Sequence, residues 1–513
     1  MVYKRVDLAP LGLVLDQPPE IVPPDFWTDG ENVTFKRRRS ERVNGAAEVW
    51  AGVSSPNHVA PTPTDEGGVY WAYASNVGIV VTDGTANYDI TPVGGISAVA
   101  GNVWSFDILN GVNVMNQGQG EPLYWDGVLA NKALPLPDFP TSTTCVSLRA
   151  YKFHLVALNL GGAAGFDQSY LRWSDAAAPG TIPQSWTIGA GSEAGDNVLG
   201  AEPGPIVDAK RLRDSLYIYK SNSVYSMDYI GGDEVMAFRQ IFADIGAMAL
   251  NCIADWQGQH VVLTADDVII HDGQNWRSLI DDRNRETLFA ALNQDQRLNS
   301  YLVAVEDADE IWVCIPTMSN IYPDTAFVWH SDTDQWSIRV LPGIRYTNYG
   351  DMPPAADLND PGVWSDYVSE TWETIDRPWN ERTIEATDQA AVGVTDNKAL
   401  AFGFSTDFDG SSFQTRFTRA SLDFGLPEQV KLCRRVIPRF QAPDGTGFAI
   451  RVGSQLTLSE PITWYNFTMV TGAQPWVDCL VPGRYLSFEF ESSFSVDWGM
   501  SGFQVEIDPR SGY

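Results

Sequence analysis

Between about residues 65 and 345 one pattern recurs six times: an apolar or aromatic strand, a turn marked by an aspartate, and a following strand. The stretch VIIHDGQNWRSLI at 268–280 is one example. Its Asp-Gly pair predicts a two-residue hairpin, because both turn positions need positive φ. A four-stranded propeller blade takes about 40 to 50 residues. The spacing predicts a β-propeller, since the marker aspartates lie 43, 49, 53, 44 and 60 residues apart, at Asp83, Asp126, Asp175, Asp228, Asp272 and Asp332.

The flanking strands and their spacing count for more than the Asp-Gly pairs themselves. The chain contains six such pairs, and composition alone predicts about four. A β-sandwich and an irregular β-solenoid therefore stay open as alternatives to the propeller. The class is all-β in each case, because short β-branched and aromatic runs alternate with Gly, Asp, Asn and Pro.

Helical periodicity is scarce. The best candidate is NRETLFAALNQD at 284–295, where Asn284 is the predicted N-cap of a short helix that carries Leu288, Phe289 and Leu292.

Composition divides the chain into four segments. Residues 1–50 are predicted to be an N-terminal arm and strand that contribute to platform or assembly contacts, and residues 51–345 to form the propeller. Residues 346–395 are an acidic loop or strap. Period-two strands return at 396–513, which predicts a C-terminal antiparallel β-sandwich.

Three tryptophans punctuate the acidic segment, at Trp364, Trp372 and Trp379. Exposed tryptophan at this density favours aggregation unless something covers it. Two interpretations stay open: the segment lies on its own domain with the three rings as anchors, or it straps across a neighbouring subunit.

Charge and cysteine usage limit the function classes. The chain has 34 Lys and Arg against 65 Asp and Glu, a formal charge of −31, which argues against general nucleic-acid binding. DNA can still be conducted without being held. No apolar run approaches the ~18 residues of a membrane helix, and no signal peptide is expected. The cysteines are odd in number and far apart in sequence, which predicts reduced, buried thiols and not a disulfide framework. They are Cys145, Cys252, Cys314, Cys433 and Cys479.

Catalytic motifs are missing from the sequence. There is no G-x-x-x-x-G-K-[ST], G-x-S-x-G or H-E-x-x-H, so nucleotide-cradle, nucleophile-elbow and zincin interpretations have no support. His260 and His271 share one predicted blade, but a pair without Cys or an acidic motif nearby favours a structural role. SDTDQW at 331–336 loosely resembles the Asp-box turn of sialidase propellers, although it lacks their glycine. We expect no enzyme activity, no catalytic or metal site, no cofactor and no small-molecule substrate.

One basic run stands out in this acidic chain, FKRRRSER at 35–42. Such a run is usually a solvated strand end, and it can also dock an acidic neighbour. The candidate contacts in this run are Lys36, Arg37, Arg38, Arg39 and Arg42.

The stretch LDQPPEIVPPDFWTDGENVTFKRRRSERVNGA at 15–46 resembles the opening of tail-hub, or nozzle, proteins of short-tailed bacteriophages. In that family a Pro-Pro-x-x-W segment, here ending at Trp27, leads into an Asn-Val-x-Phe strand and a V-x-G turn. Residues 211–227, 244–273 and 483–508 look like the same family. The resemblance covers most of the chain, and its motifs are structural.

The resemblance implies a hexameric ring below the portal and adaptor that closes the tail channel and then conducts double-stranded DNA. Such hubs combine a propeller with a β-rich platform and help to seat tail fibres or spikes. It also implies assembly in the bacterial cytoplasm and a place in the virion tail. Trp27, Trp364, Trp372 and Trp379 join the basic run as candidate subunit or adaptor contacts. The alternatives are a glycan-binding or glycan-hydrolysing propeller and a monomeric propeller scaffold.

Overall fold

The computed structural model describes residues 2–6, 12–36, 39–51, 55–64, 69–96, 103–162, 167–352, 389–442, 446–466, 469–471 and 475–510. This part of the chain is all-β, as predicted. Its strands form nine antiparallel sheets, seven of four strands and two of six. The first five strands are distributed over three of these sheets: β1 Val2–Val6, β2 Asp29–Glu31, β3 Val33–Lys36, β4 Arg39–Arg42 and β5 Ala46–Ala51.

Sheets 1 to 3 each take four consecutive strands. Sheet 1 has β6 Pro56–Pro63, β7 Val69–Ser75, β8 Ile79–Thr82 and β9 Asn87–Asp89. Sheet 2 has β10 Ser105–Leu109, β11 Val112–Asn116, β12 Leu123–Trp125 and β13 Leu134–Pro135. Sheet 3 has β14 Thr143–Tyr151, β15 His154–Gly162, β16 Tyr170–Trp173 and β17 Gly195–Val198.

Sheets 4 to 6 repeat the same order. Sheet 4 has β18 Ile206–Leu212, β19 Ser215–Lys220, β20 Val224–Tyr229 and β21 Met236–Phe242. Sheet 5 has β22 Ile253–Trp256, β23 Gln259–Leu263, β24 Val268–His271 and β25 Trp276–Ser278. Sheet 6 has β26 Tyr301–Val305, β27 Glu310–Ile315, β28 Thr325–His330 and β29 Gln335–Val340.

Sheet 7 is assembled from both ends of the chain. It pairs β30 Tyr346–Asp351, β31 Gln389–Val394 and β32 Lys398–Phe402 with β5. First strands of neighbouring sheets contact each other from β10 through β14, β18, β22 and β26 to β30, while β6 contacts β30 on one side and β11 on the other. The succession of sheets therefore returns to its start. Sheet 7 therefore combines strands from three of the predicted segments, 1–50, 346–395 and 396–513.

The six marker aspartates occupy one structural position. Each lies within two residues of the end of the third strand in sheets 1 to 6. At Asp272 the side-chain Oδ1 accepts hydrogen bonds from the backbone N–H groups of Gln274 and Asn275, both at 2.8 Å. The loop spans residues 272–275, and only Gly273 has positive φ, at 89°. The predicted two-residue hairpin is thus wrong, because the aspartate side chain closes a longer turn.

Two six-stranded sheets share a second core. Sheet A has the order β3-β4-β40-β34-β38 with β1 beside β40, and sheet B the order β2-β33-β39-β35-β36 with β37 beside β35. Phe488 and Phe490 of sheet B pack with Phe503 of sheet A, with ring centroids 5.1 Å apart in each pair. The remaining strands are β33 Thr415–Leu422, β34 Lys431–Gln441, β35 Gly447–Gln455, β36 Thr463–Asn466, β37 Val470–Thr471, β38 Val477–Gly483, β39 Tyr485–Ser492 and β40 Gly499–Pro509.

The α-helix between sheets 5 and 6, α1, runs over Asp281–Ala291. Asn284 is not its N-cap but a buried residue inside it. The amide of Asn284 accepts from the backbone N–H of Leu15 at 3.0 Å and donates to the carbonyl of Leu13 at 3.1 Å. The side chain that was predicted to cap the helix thus binds the backbone of residues 13–15 instead. Two short 3₁₀ turns, η1 Arg297–Asn299 and η2 Glu306–Ala308, complete the described helices, none of which is long and apolar enough to cross a membrane.

Candidate functional site

Trp27 is a core residue and not a contact surface. Its side chain is 0% exposed, and its ring meets Phe417 edge to face with centroids 4.5 Å apart. The indole N–H donates to Ser40 Oγ at 3.0 Å. The prediction that Trp27 contacts a subunit or adaptor is therefore wrong, because the ring lies between sheets A and B.

Two residues of the basic run, Lys36 and Arg42, have partners within their own chain. Lys36 forms an ion pair with Glu310 on β27 of sheet 6. Arg42 is buried, with its guanidinium 4.0 Å from the ring centroid of Phe413, and burial lowers its pKa to about 10. Arg42 is thus a structural residue, and its predicted contact role is wrong.

The other predicted contact residues differ in what the structure describes. Arg39 is half-buried and pairs with Lys36 in the β3–β4 hairpin. Residues outside the described part of the chain are Arg37, Arg38, Trp364, Trp372 and Trp379.

The carboxylate of Glu310 is the centre of the junction between sheet 6 and the β3–β4 hairpin. The Trp312 indole N–H donates to it at 2.8 Å, the Lys36 ammonium lies at 3.0 Å and His330 Nδ1 at 3.5 Å. Burial raises the pKa of this carboxyl group, but His330, Lys36 and Arg339 together outweigh burial and lower it to about 2. Burial also lowers the pKa of His330, so Lys36 and Arg339 are the cations that hold the carboxylate at pH 7.

A second polar cluster lies where the first strands of the seven sheets converge. They enclose a cavity of about 230 Å³. Arg149 donates two hydrogen bonds of 2.8 Å to Asp208, from Nε to Oδ1 and from Nη2 to Oδ2. Ser147 Oγ donates to the same carboxylate at 2.8 Å. Burial raises the pKa of Asp208, but the charge and hydrogen bonds of Arg149 outweigh burial and lower the pKa below its ordinary value, so the carboxyl group is ionised. The pair crosslinks β14 and β18.

The remaining titratable groups of this cavity are held away from their usual pKa. Burial lowers the pKa of His58 to about 3, and its ring lies between Phe106 and Tyr346, with centroids at 4.9 and 4.1 Å. Burial raises the pKa of Asp107, whose Oδ2 accepts from the backbone N–H of Ala150 at 2.8 Å. The cluster therefore combines the ionised pair of Arg149 and Asp208, the neutral ring of His58 and the hydrogen-bonded side chain of Asp107. Together these groups link the first strands of neighbouring sheets.

His260 and His271 are joined through one tyrosine. His260 Nε2 donates to the carbonyl of Arg211 at 3.0 Å, so its Nδ1 accepts from Tyr219 Oη at 2.7 Å. Tyr219 Oη then accepts from His271 Nε2 at 2.6 Å. Burial lowers the pKa of His260 to about 3 and of His271 to about 4. Both rings are neutral at pH 7, and within the described residues no group of three His, Cys, Asp or Glu side chains could hold a metal ion.

The prediction of reduced, buried thiols is confirmed. All five cysteines are free and buried. The Sγ atoms of Cys433 and Cys479 are 3.4 Å apart on the neighbouring strands β34 and β38.

Sequence reasoning missed the residues at both polar centres. Glu310 lies in DADEIW, and Asp208 in PIVDAKR, stretches that follow no catalytic or ligand motif. Two properties single them out: each carboxylate is buried, and each has a partner far away in sequence. Glu310 pairs with Lys36, and Asp208 pairs with Arg149. Neither property exists before the chain folds.

No protein-family model matches the chain, and no curated protein matches it. Among solved structures, the chain is similar to the extracellular domain of a putative hybrid two-component system from B. thetaiotaomicron, with 11% identity and a TM-score of 0.40. The similarity covers 82% of this chain and 47% of that chain. The chain thus spans about half the length of that structure, and a similarity of this size identifies neither a family nor a function.

Proposed function

We propose that the seven four-stranded sheets are the blades of a β-propeller and that sheets A and B form a β-sandwich beside it. Sheets 1 to 6 each take four strands in sequence order, and their first strands contact one another in succession. Sheet 7 receives its fourth strand, β5, from the other end of the chain. Closing the last blade with a strand from the opposite terminus holds the first and last blades together. This pairing supports seven blades.

The proposed role of the protein is structural: a virion component that forms the hexameric tail hub, or nozzle, below the portal and adaptor. One observation carries the proposal. The stretch at 15–46, whose sequence resembles the opening of tail-hub proteins, joins helix α1 and sheet 6 to sheets A and B. Leu15 binds helix α1, β2 pairs with β33, β4 pairs with β40, and Lys36 binds Glu310. A segment with this many distant partners suits a scaffold.

The other three resembling stretches also coincide with strands. Residues 211–227 include β19 and part of β20, and residues 244–273 include β22, β23 and β24. Residues 483–508 supply β39 and most of β40, which lie inside sheets B and A. The resemblance therefore falls on framework residues, which supports a shared architecture over a shared chemistry.

In this proposal the DNA runs between the six copies and not through a propeller. Arg149 and Asp208 lie where the first strands meet, and the cavity there has a volume of only about 230 Å³. A DNA duplex, whose major groove alone is ≈ 12 Å wide, does not fit into it. Six copies carry 186 excess negative charges. Acidic side chains along the channel repel phosphates, so that DNA slides through without binding.

The partners in this proposal are five further copies, the adaptor, the tail fibres or spikes and the passing double-stranded DNA. The protein works without enzyme activity, cofactor or small-molecule substrate, first in the bacterial cytoplasm and then in the virion tail.

Negative-stain imaging of the purified protein, alone and mixed with its portal and adaptor partners, tests the proposal. We expect a sixfold ring with a central pore in at least one sample. Single particles in both samples contradict it. Turnover of a polysaccharide that one Asp or Glu substitution abolishes favours the alternative of a glycan-hydrolysing propeller.

A further inference from the structure

Arg339 on β29 is a buried cation without a hydrogen-bond acceptor. Its side chain is 9% exposed, and its guanidinium carbon lies 4.4 Å from the ring centroid of Trp312 and 5.6 Å from that of Phe402. Nε is buried with no partner, and no residue in the described ranges forms a hydrogen bond or close ion pair with the rest of the group. Stacking orients the guanidinium plane but satisfies none of its five N–H donors.

Arg339 lines a groove in the described part of the chain, and it also lines a neighbouring cavity of about 270 Å³ together with Glu310 and Trp312. The groove has a volume of about 590 Å³ and lies between sheets 6 and 7 on one side and residues 31–32, 43–44 and 411–414 on the other. Five exposed amide and hydroxyl side chains line it: Asn44, Asn397, Ser411, Ser412 and Gln414. These uncharged donors and acceptors share the groove with a guanidinium that has no hydrogen-bond acceptor and whose charge interacts with Glu310.

Three carboxyl groups in the same wall limit the charge of any ligand. Asp396 is paired with Arg345, and Asp409 with Lys398. Glu31 also lines the groove, and burial raises its pKa. A polyphosphate would bring several negative charges against these carboxyl groups, whereas one carboxylate needs only the guanidinium.

The geometry points to a binding site for an acidic sugar, a hexuronate residue of a polysaccharide, with its carboxylate on Arg339. A guanidinium presents two parallel N–H groups that match a carboxylate. The amide and hydroxyl side chains then hydrogen-bond the sugar hydroxyls, and the groove volume falls within the range of small-ligand sites. The site needs only one folded copy, so it holds whether or not six copies form a ring.

Isothermal titration calorimetry of the full chain at about 0.15 M salt, which screens the −31 charge of the chain, tests the site. The probes are trigalacturonate, neutral maltotriose and inorganic phosphate. We expect trigalacturonate to bind at least tenfold more tightly than maltotriose. Arg339→Gln should weaken its binding tenfold or more, and Arg339→Lys, which keeps the charge but loses the fork, should weaken it less.

A second variant decides the result if Arg339→Gln unfolds. Asn397→Trp fills the groove from an exposed turn residue, and it should also abolish binding. Arg297→Gln is the matched control, because Arg297 is exposed and does not line the groove. Equal affinity of wild type and both groove variants for trigalacturonate overturns the proposal. Equal binding of maltotriose, or phosphate competing as well as trigalacturonate, also overturns it, because the groove would then not select a carboxylated sugar.

Discussion

The ammonium of Lys36 lies 3.0 Å from the carboxylate of Glu310, and this pair joins the basic run near the N terminus to sheet 6. Lys36 is 36% exposed and Glu310 only 7%. The sequence predicted that the basic run binds an acidic neighbour. For Lys36 that neighbour is Glu310 of the same chain.

Lys36→Met should destabilise the fold by about 1 to 2 kcal/mol, because it removes a charged partner from a buried carboxylate. Lys132→Met is the matched control. Lys132 is 39% exposed, like Lys36, but its partner Asp89 is 61% exposed, so the expected loss is below about 1 kcal/mol. Urea denaturation of both variants measures the difference. Equal midpoints would show that burial of Glu310 does not strengthen the pair.

The stability should also fall in acid through Glu310. Its folded-state pKa of about 2 lies below the ordinary value of 4.5, so its contribution is present above pH 4.5 and is lost as the pH falls through 2. The contribution is on the order of 3 kcal/mol. Unfolding free energies measured between pH 5 and pH 2 should fall less steeply in Glu310→Gln than in wild type. Parallel curves would contradict the assignment.

Arg37, Arg38 and Arg39 changed together to glutamate should block ring assembly and leave the fold intact. The physical reason is that the change replaces attraction for an acidic neighbour by repulsion. Circular dichroism checks the fold, and negative-stain imaging with the adaptor checks the ring. A folded triple variant that assembles normally removes the docking role of the run. Arg297→Glu, a single charge reversal at an exposed residue outside the run, controls for the effect of a charge reversal elsewhere on the surface.

Asp208→Asn should cost about 3 to 5 kcal/mol, because it leaves the buried guanidinium of Arg149 without its counter-charge. Asp214→Asn is the control, since Asp214 is 91% exposed and pairs with Lys152 at the surface. The expected loss there is at most about 1 kcal/mol. Thermal or denaturant unfolding compares the two variants. A small loss in Asp208→Asn would mean that the seven first strands converge without help from this pair.

The turn positions were predictable because they depend on neighbours in sequence. Asp272 binds the backbone N–H groups of Gln274 and Asn275, so the sequence alone records where this turn lies. Sheet 7 gave no such signal. Its fourth strand, β5, pairs Ala51 with Lys398, and no local pattern records a partner so far along the chain.

The same distinction explains the site residues. Trp27, Asn284 and Arg42 were assigned roles from their sequence neighbours, and each instead serves a distant contact with Phe417, Leu13 or Phe494. Arg339 was not singled out, because only folding surrounds it with Trp312 and Phe402 and leaves its Nε without an acceptor.

The sequence alone determined the all-β class, the period of the strands, the marked turns and the burial of the cysteines. These follow from alternation, turn chemistry and composition, which act over a few residues. Tertiary structure decided the seventh sheet, the sharing of residues 29–42 with sheets A and B, and the partners of Glu310, Asp208 and Arg339. Those depend on which distant segments meet, and burial then determines whether a charge is paired, neutralised or left open to a ligand.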